Sequence, residues 1–167
     1  MVAGLPKALT GSAEEVADLA EASARLRPLL DRLTSLVDED SSAYGSVVEA
    51  MTLPKATETE RTSRRAAIDS AMRRAIEVPI ETMRCCQQAL RGAVTVAQNG
   101  NPSAATDTAI GIELLLAGLR GAGLNVDVNL RSISDPGFAE NSANERAQLE
   151  ADAAGDAGSA RVSLSLS

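Results

Sequence analysis

The sequence has no histidine and no tryptophan, and only one tyrosine and one phenylalanine in 167 residues. Without imidazole, a Ser-His-Asp or Cys-His catalytic assembly and a His-ligated metal site are excluded, so no metal is expected. Two aromatic rings are too few for a base-stacking platform. The 23 acidic residues against 16 basic ones, a formal net charge of −7, disfavour a phosphate-backbone binder, and no nucleic-acid partner is expected. The two cysteines, Cys85 and Cys86, are neighbours. A bridge between neighbours is strained, which excludes a disulfide framework and points to a reducing compartment. No run of about 18 apolar residues occurs, since the most apolar stretch, Ala104 to Leu119, is broken by Asp107 and Glu113. The first ten residues lack the charged region and long apolar core of a signal peptide. A soluble, cytoplasmic chain without a membrane partner is the expectation.

What is present is helical pattern. Alanine and leucine dominate over β-branched residues, which predicts helices packed on helices, an all-α antiparallel bundle. Ser12-Ala13-Glu14-Glu15 reads as a capping box. The apolar positions after it, from Val16 through Leu33, Val37 and Tyr44 to Met51, recur at three- and four-residue steps and predict a first helix to about Met51. Pro28 interrupts it, so a kink is expected there. Thr57-Glu58-Thr59-Glu60 is a second capping box. The helix it opens carries Ile68, Met72, Ile76, Ile80, Met83, Leu90 and Val94, with Pro79 marking either a kink or a junction of two helices. Asn101-Pro102 starts a third helix to about Arg120, apolar nearly all round and expected to form the buried centre. Leu124 to Leu130 alternates like a strand, but a lone strand has no partner, so helix is preferred. Asp135-Pro136 opens a last helix to about Glu150. This divides the chain into a helical domain, 1–150, and a low-complexity tail, 151–167, expected to fray.

Several polar residues sit where this pattern asks for apolar ones. Asp40 falls on the seam between Val37 and Tyr44, where a carboxylate must be paired, line a wet cavity or set register. Asp107, in the first turns of an apolar helix, either meets the helix dipole or is a carboxylate with a tuned pKa. Asn125 and Asn129, four apart, share a helical face as an interhelical clamp or as a recognition edge for a heterocycle. Lys55 follows a proline at a helix junction, and the arginines from Arg61 to Arg74 form either a solvated face or a seat for a polyanion. Cys85 and Cys86 read as packing residues, because no imidazole can activate them.

The strings Leu36-Val37-Asp38-Glu39-Asp40-Ser41-Ser42-Ala43-Tyr44, Glu49-Ala50-Met51 and Leu53-Pro54-Lys55 resemble the cyclodeaminase/cyclohydrolase family. Arg64-Arg65, Glu77-Val78-Pro79-Ile80, Asn99-Gly100-Asn101, Asp107 and Asn125-Val126-Asp127-Val128-Asn129-Leu130 follow in that family's order, and the resemblance runs to Glu140. It implies a helical, homodimeric domain whose folate site lies in a groove. The implied reaction is hydrolysis of methenyltetrahydrofolate to the formyl form, or closure of a formimino group with loss of ammonia. Asp40 and Asp107 would be stabiliser and general base, with Lys55 as proton donor or oxyanion partner. Asn101, Asn125 and Asn129 would contact the tetrahydrofolate, the last two at pterin edges, and Arg64 and Arg65 would hold a polyglutamate tail. Two departures stand at the front. Met1-Val2-Ala3-Gly4-Leu5 resembles the end of a family helix whose earlier part is lacking, and Pro6-Lys7-Ala8-Leu9-Thr10 replaces a basic Gly-Lys stretch. The alternative these suggest is a non-catalytic folate-binding or structural dimer.

Overall fold

The computed structural model describes residues 11–164, and the departures in residues 1–10 lie outside them. Four long helices follow one another: α1 (Ala13–Thr52), α2 (Glu58–Asn99), α3 (Ala105–Leu130) and α4 (Pro136–Leu164), with a 3-10 turn at Pro102–Ala104 before α3. No strand occurs among the described residues, and the alternating segment before Leu130 is the end of α3. Both capping boxes form as the sequence predicts. Ser12 accepts from the Glu15 N–H at 3.1 Å, and Thr57 accepts from the Glu60 N–H at 3.2 Å. In return, each glutamate accepts from the cap's own N–H at 2.8 Å. Helices α1 and α2 run uninterrupted through Pro28 and Pro79, so α2 is one helix rather than two.

The centre of the bundle is α2, against which α1, α3 and α4 all pack, while α3 and α4 also pack on each other. Asp18 meets Asn99, Leu26 lies over Gly92 and Glu39 pairs with Arg74, so α1 runs antiparallel to α2. Gly118 against Cys86 and Asn129 against Ala75 give α3 the same antiparallel sense. Ile76, Met83 and Leu90 of α2 meet Ile112, Leu119 and Val126 of α3 and Ala153, Ala157 and Ala160 of α4 in one core.

Three expectations are corrected. The third helix is not the buried centre, because α2 is sandwiched by its neighbours, whereas α3 leaves Ile110, Leu114, Leu124 and Val128 exposed. The tail expected from residue 151 is instead the second half of α4, which continues to Leu164. Alanines there repeat at helical spacing, and their lack of bulk lets α4 approach α2 until Ala153, Ala157 and Ala160 are fully buried. Gln87 of α2, itself buried, donates to Asp156 at 2.9 Å and fastens this half. Replacing Ala157 with leucine is therefore expected to destabilise the fold by about 1–3 kcal/mol through overpacking, read as a lowered urea midpoint. A frayed tail would tolerate it.

The third correction concerns α1. Part of its apolar stripe does not face the bundle: Leu30 is 67% exposed, Val37 67% and Tyr44 71%, with Val48 and Met51 also open, whereas Leu19 and Val47 of the same stripe are buried as expected. The face turned to α2 is built of Ala22, Leu36, Ala43, Val47 and Ala50. Alanine lets two helices approach closely, so Ala22, Ala43 and Ala50 share the interior with Leu19, Leu36 and Val47, and Leu30, Val37 and Tyr44 are left outside.

Candidate active site

Asp40 lies on the exposed surface of α1, beside that open apolar stripe, and its nearest helical neighbours at three- and four-residue spacing are Val37 and Tyr44. Asp107 is exposed in the first turn of α3, at the head of a second open apolar face that continues through Ile110, Leu114, Leu124 and Val128. Gly111 and Gly121 lie on this face as well. A Cβ added at either would meet nothing within 4 Å, so packing inside the chain does not require glycine there. Each costs about 1 kcal/mol of helix stability relative to alanine. A backbone left bare on an exposed apolar face suits close approach by something outside the chain.

One chain does not bring the two acids together. Glu39, next to Asp40, pairs with Arg74 in the N-terminal half of α2, whereas Asp107 follows directly on the turn after the last residue of α2, Asn99. At a rise of ~1.5 Å per residue, these levels differ by roughly 35 Å along α2. The cleft beside Asp18 and Asn99 and the cleft beside Glu39 and Arg84, both between α1 and α2, are not lined by Asp40 or Asp107.

The other expected residues divide between fold and surface. Lys55 is exposed in the connection between α1 and α2, and Arg65 and Asn125 are exposed on their helices. Arg64 donates to the Met51 carbonyl at 3.0 Å, closing the C-terminal end of α1. Asn101 accepts from the Ser103 N–H at 2.9 Å and so starts the turn into α3. Asn129 donates its amide to the Ala75 carbonyl at 2.7 Å, which is the interhelical clamp of the two roles its spacing allowed. Lys55, Arg64, Asp40 and Asn129 therefore belong to the half of the bundle around the start of α2, and Asn101 and Asp107 to the opposite half.

A charged cluster not anticipated from the sequence lies between α1, α2 and α4. Glu39 bridges Arg32 and Arg74, and Arg84 binds Glu81 at 3.0 Å and Glu145 at 2.6 Å, around a cleft of about 290 Å³. Its signal was the run of opposite charges Arg74, Glu77, Glu81 and Arg84 at three- and four-residue steps. The arginines that looked like a polyanion seat are partly used in such pairs, since Arg73 also binds Asp135 and lies over the Phe138 ring at 4.5 Å. The hydrogen bond from Arg32 first, and the nearby charge of Arg74, hold Glu39 below the ordinary carboxylate range. Asp135 is held low by the Phe138 N–H and then Arg73, and Glu60 by the Thr57 N–H.

Groups with depressed folded pKa values contribute stability that is present above the unfolded value and lost as pH falls through the folded one. The urea midpoint is accordingly expected to hold steady from about pH 7 to pH 5 and to fall below about pH 4. A flat midpoint down to pH 2.5 would contradict this. Burial pushes both thiols up, Cys86 to about 11, which fits packing and not nucleophilic use.

The geometry defines an all-helical scaffold with surface carboxylates set in two uncovered apolar faces. The chain belongs to the formiminotransferase-cyclodeaminase family, whose profile matches residues 1–148. It is 35% identical over 140 residues to a methenyltetrahydrofolate cyclohydrolase of Methylorubrum extorquens, an alignment covering 84% of this chain and 67% of that protein. It is 35% identical over 113 residues to the formimidoyltransferase-cyclodeaminase of Gallus gallus, covering 68% of this chain and 21% of that longer protein. The crystal structure of formiminotetrahydrofolate cyclodeaminase from Thermotoga maritima superposes with a TM-score of 0.80 at 26% identity, covering 98% of this chain and 78% of that one.

Proposed function

We propose that this chain is a methenyltetrahydrofolate cyclohydrolase that works as a homodimer, with α1 of one copy set against α3 of the other. The observation that carries the reading is the pair of acids interrupting the two exposed apolar faces, at opposite ends of one chain. A two-fold axis applies the same pairing twice, so that each α1 stripe covers an α3 stripe and each Asp40 approaches the other copy's Asp107. Covering Leu30, Val37, Tyr44, Ile110, Leu114 and Val128 removes apolar surface from water, which supplies the driving force. The helix Pro102–Leu130 is long and apolar enough by composition to cross a membrane, but only 28% of its apolar window is buried within the chain. A helix with one face on its own core and another on a partner is apolar all round for the same reason.

In such a site Asp107 takes a proton from water as the oxygen attacks the bridging carbon of the methenyl group. Asp40 stabilises the cationic amidine-like system. The resulting carbinol gives up its hydroxyl proton to solvent as its oxygen forms the formyl C=O on N10. The C–N5 bond breaks with its electron pair leaving on N5, and N5 takes a proton from the Lys55 ammonium. Asn125 contacts a pterin edge, Asn101 contacts the tetrahydrofolate, and Arg65 holds a polyglutamate tail. The free, buried Cys85 and Cys86 support a cytoplasmic setting. Cyclohydrolase is preferred to cyclodeaminase because the 35% identity to the former runs over 140 residues, against 113 residues at 35% for the Gallus gallus protein and 26% identity for the Thermotoga maritima cyclodeaminase.

The test is loss of methenyltetrahydrofolate absorbance above the spontaneous rate, run beside ammonia release from formiminotetrahydrofolate. Ammonia release alone would replace the first reading by the second, and neither activity would leave a binding or structural dimer.

A further inference from the structure

We propose that Asn129 is a positioning residue, and that Pro79 is the reason it is needed. In a continuous α-helix the carbonyl of Ala75 accepts from the N–H four residues on, which is position 79. Proline has no N–H, so Pro79 withdraws that donor while α2 continues past it. The orphaned carbonyl belongs to a buried residue, and Pro79 is buried too. Asn129, from the last turns of α3, donates its side-chain amide into this gap at 2.7 Å. The two residues act as one device, with α2 opening an acceptor at a fixed height and α3 closing it.

The consequence is directional. The contact of α3 with α2 is otherwise built of apolar side chains and bare glycine backbone, such as Leu119, Val126 and Gly118 against Cys86, which permit small rotations and slides. A hydrogen bond tolerates neither, because it weakens steeply with angle and distance. Asn129 thus fixes the rotation and axial height of α3 against α2, beside the pairs of Asp127 with Arg146 and Glu113 with Arg161 that tie α3 to α4, and with them the outward face that carries Asn125 and Asp107. This deepens the cyclohydrolase reading and in its activity arm rests on it, whereas its stability arm does not.

The experiment compares the full chain with Asn129→Leu, Pro79→Ala and the double variant, measuring melting and the kcat and KM for methenyltetrahydrofolate at a temperature where each is folded. Asn129→Leu is expected to lower the melting temperature by about 3–8 °C, the effect of stranding a buried carbonyl. It is also expected to lower kcat/KM by on the order of tenfold, as a displaced α3 misplaces its acid. Pro79→Ala restores the backbone donor, so in that background Asn129→Leu should change melting by less than about 2 °C and kcat/KM by less than about twofold. If Asn129→Leu alone does not fold, a folded double variant is the same rescue, and an unfolded one counts against the proposal. Equal losses in both backgrounds would overturn it. So would a loss of kcat/KM at unchanged melting in both, which would make Asn129 a substrate contact. Should the wild type show no cyclohydrolase activity, the coupling in melting decides alone, so the two readings fail separately.

Discussion

Asp107→Asn is expected to lower turnover of methenyltetrahydrofolate by about 10²–10⁴-fold, the range for removing a positioned general base. Its melting temperature should stay close to that of the wild type, because Asp107 is exposed and no side chain among the described residues pairs with it. Asp40→Asn should behave in the same way. The informative step is to mix the two inactive proteins under conditions that exchange subunits. If each site takes Asp40 from one copy and Asp107 from the other, a mixed dimer has one doubly altered site and one intact site. Random exchange makes about half of the dimers mixed, so the mixture should recover about a quarter of wild-type activity. If both acids served from one chain, no site in the mixture would be intact and no activity would return.

The second large effect concerns association. Leu114, 68% exposed at the middle of the open α3 face, makes no contribution to the core of its own chain. Leu114→Arg should therefore leave the helical fold intact, within about 0.5 kcal/mol of wild type for a surface position in the isolated chain. In a dimer the same change buries an unpaired guanidinium, which costs several kcal/mol. The expected result is a shift from dimer to monomer in sedimentation, together with loss of cyclohydrolase activity and an unchanged helical circular dichroism spectrum. A dimer that survives Leu114→Arg and Val37→Arg together would place the interface elsewhere.

Much of the fold was legible because helices announce themselves locally. Both capping boxes, the Asn101-Pro102 and Asp135-Pro136 starts and the Met72, Ile76, Ile80, Met83 and Leu90 stripe of α2 appear as read. Each depends on residues within one or two turns of one another, so local chemistry is enough. The resemblance to the family was likewise carried by short strings, and the profile over residues 1–148 agrees with it.

The errors share one cause. Hydrophobic periodicity shows that a face will be covered, not what covers it. In α1 the stripe through Val37 and Tyr44 suggested the inner face, yet those two are exposed, while Leu36, Ala43 and Ala50 join Leu19 and Val47 of the stripe against α2. The alanines of 151–164 looked like a tail because small residues carry little hydrophobic signal, although close packing against α2 buries them completely.

Composition and spacing thus determined that this protein is helical, where its helices begin, and that imidazole takes no part in its chemistry. Tertiary structure alone decided that α2 is the hub, that Asn129 answers Pro79, and that Asp40 and Asp107 lie at opposite ends of one chain on uncovered faces. These are relations between residues tens of positions apart, and they are fixed by how closely whole helices can approach, a property of packed surfaces that no local pattern encodes.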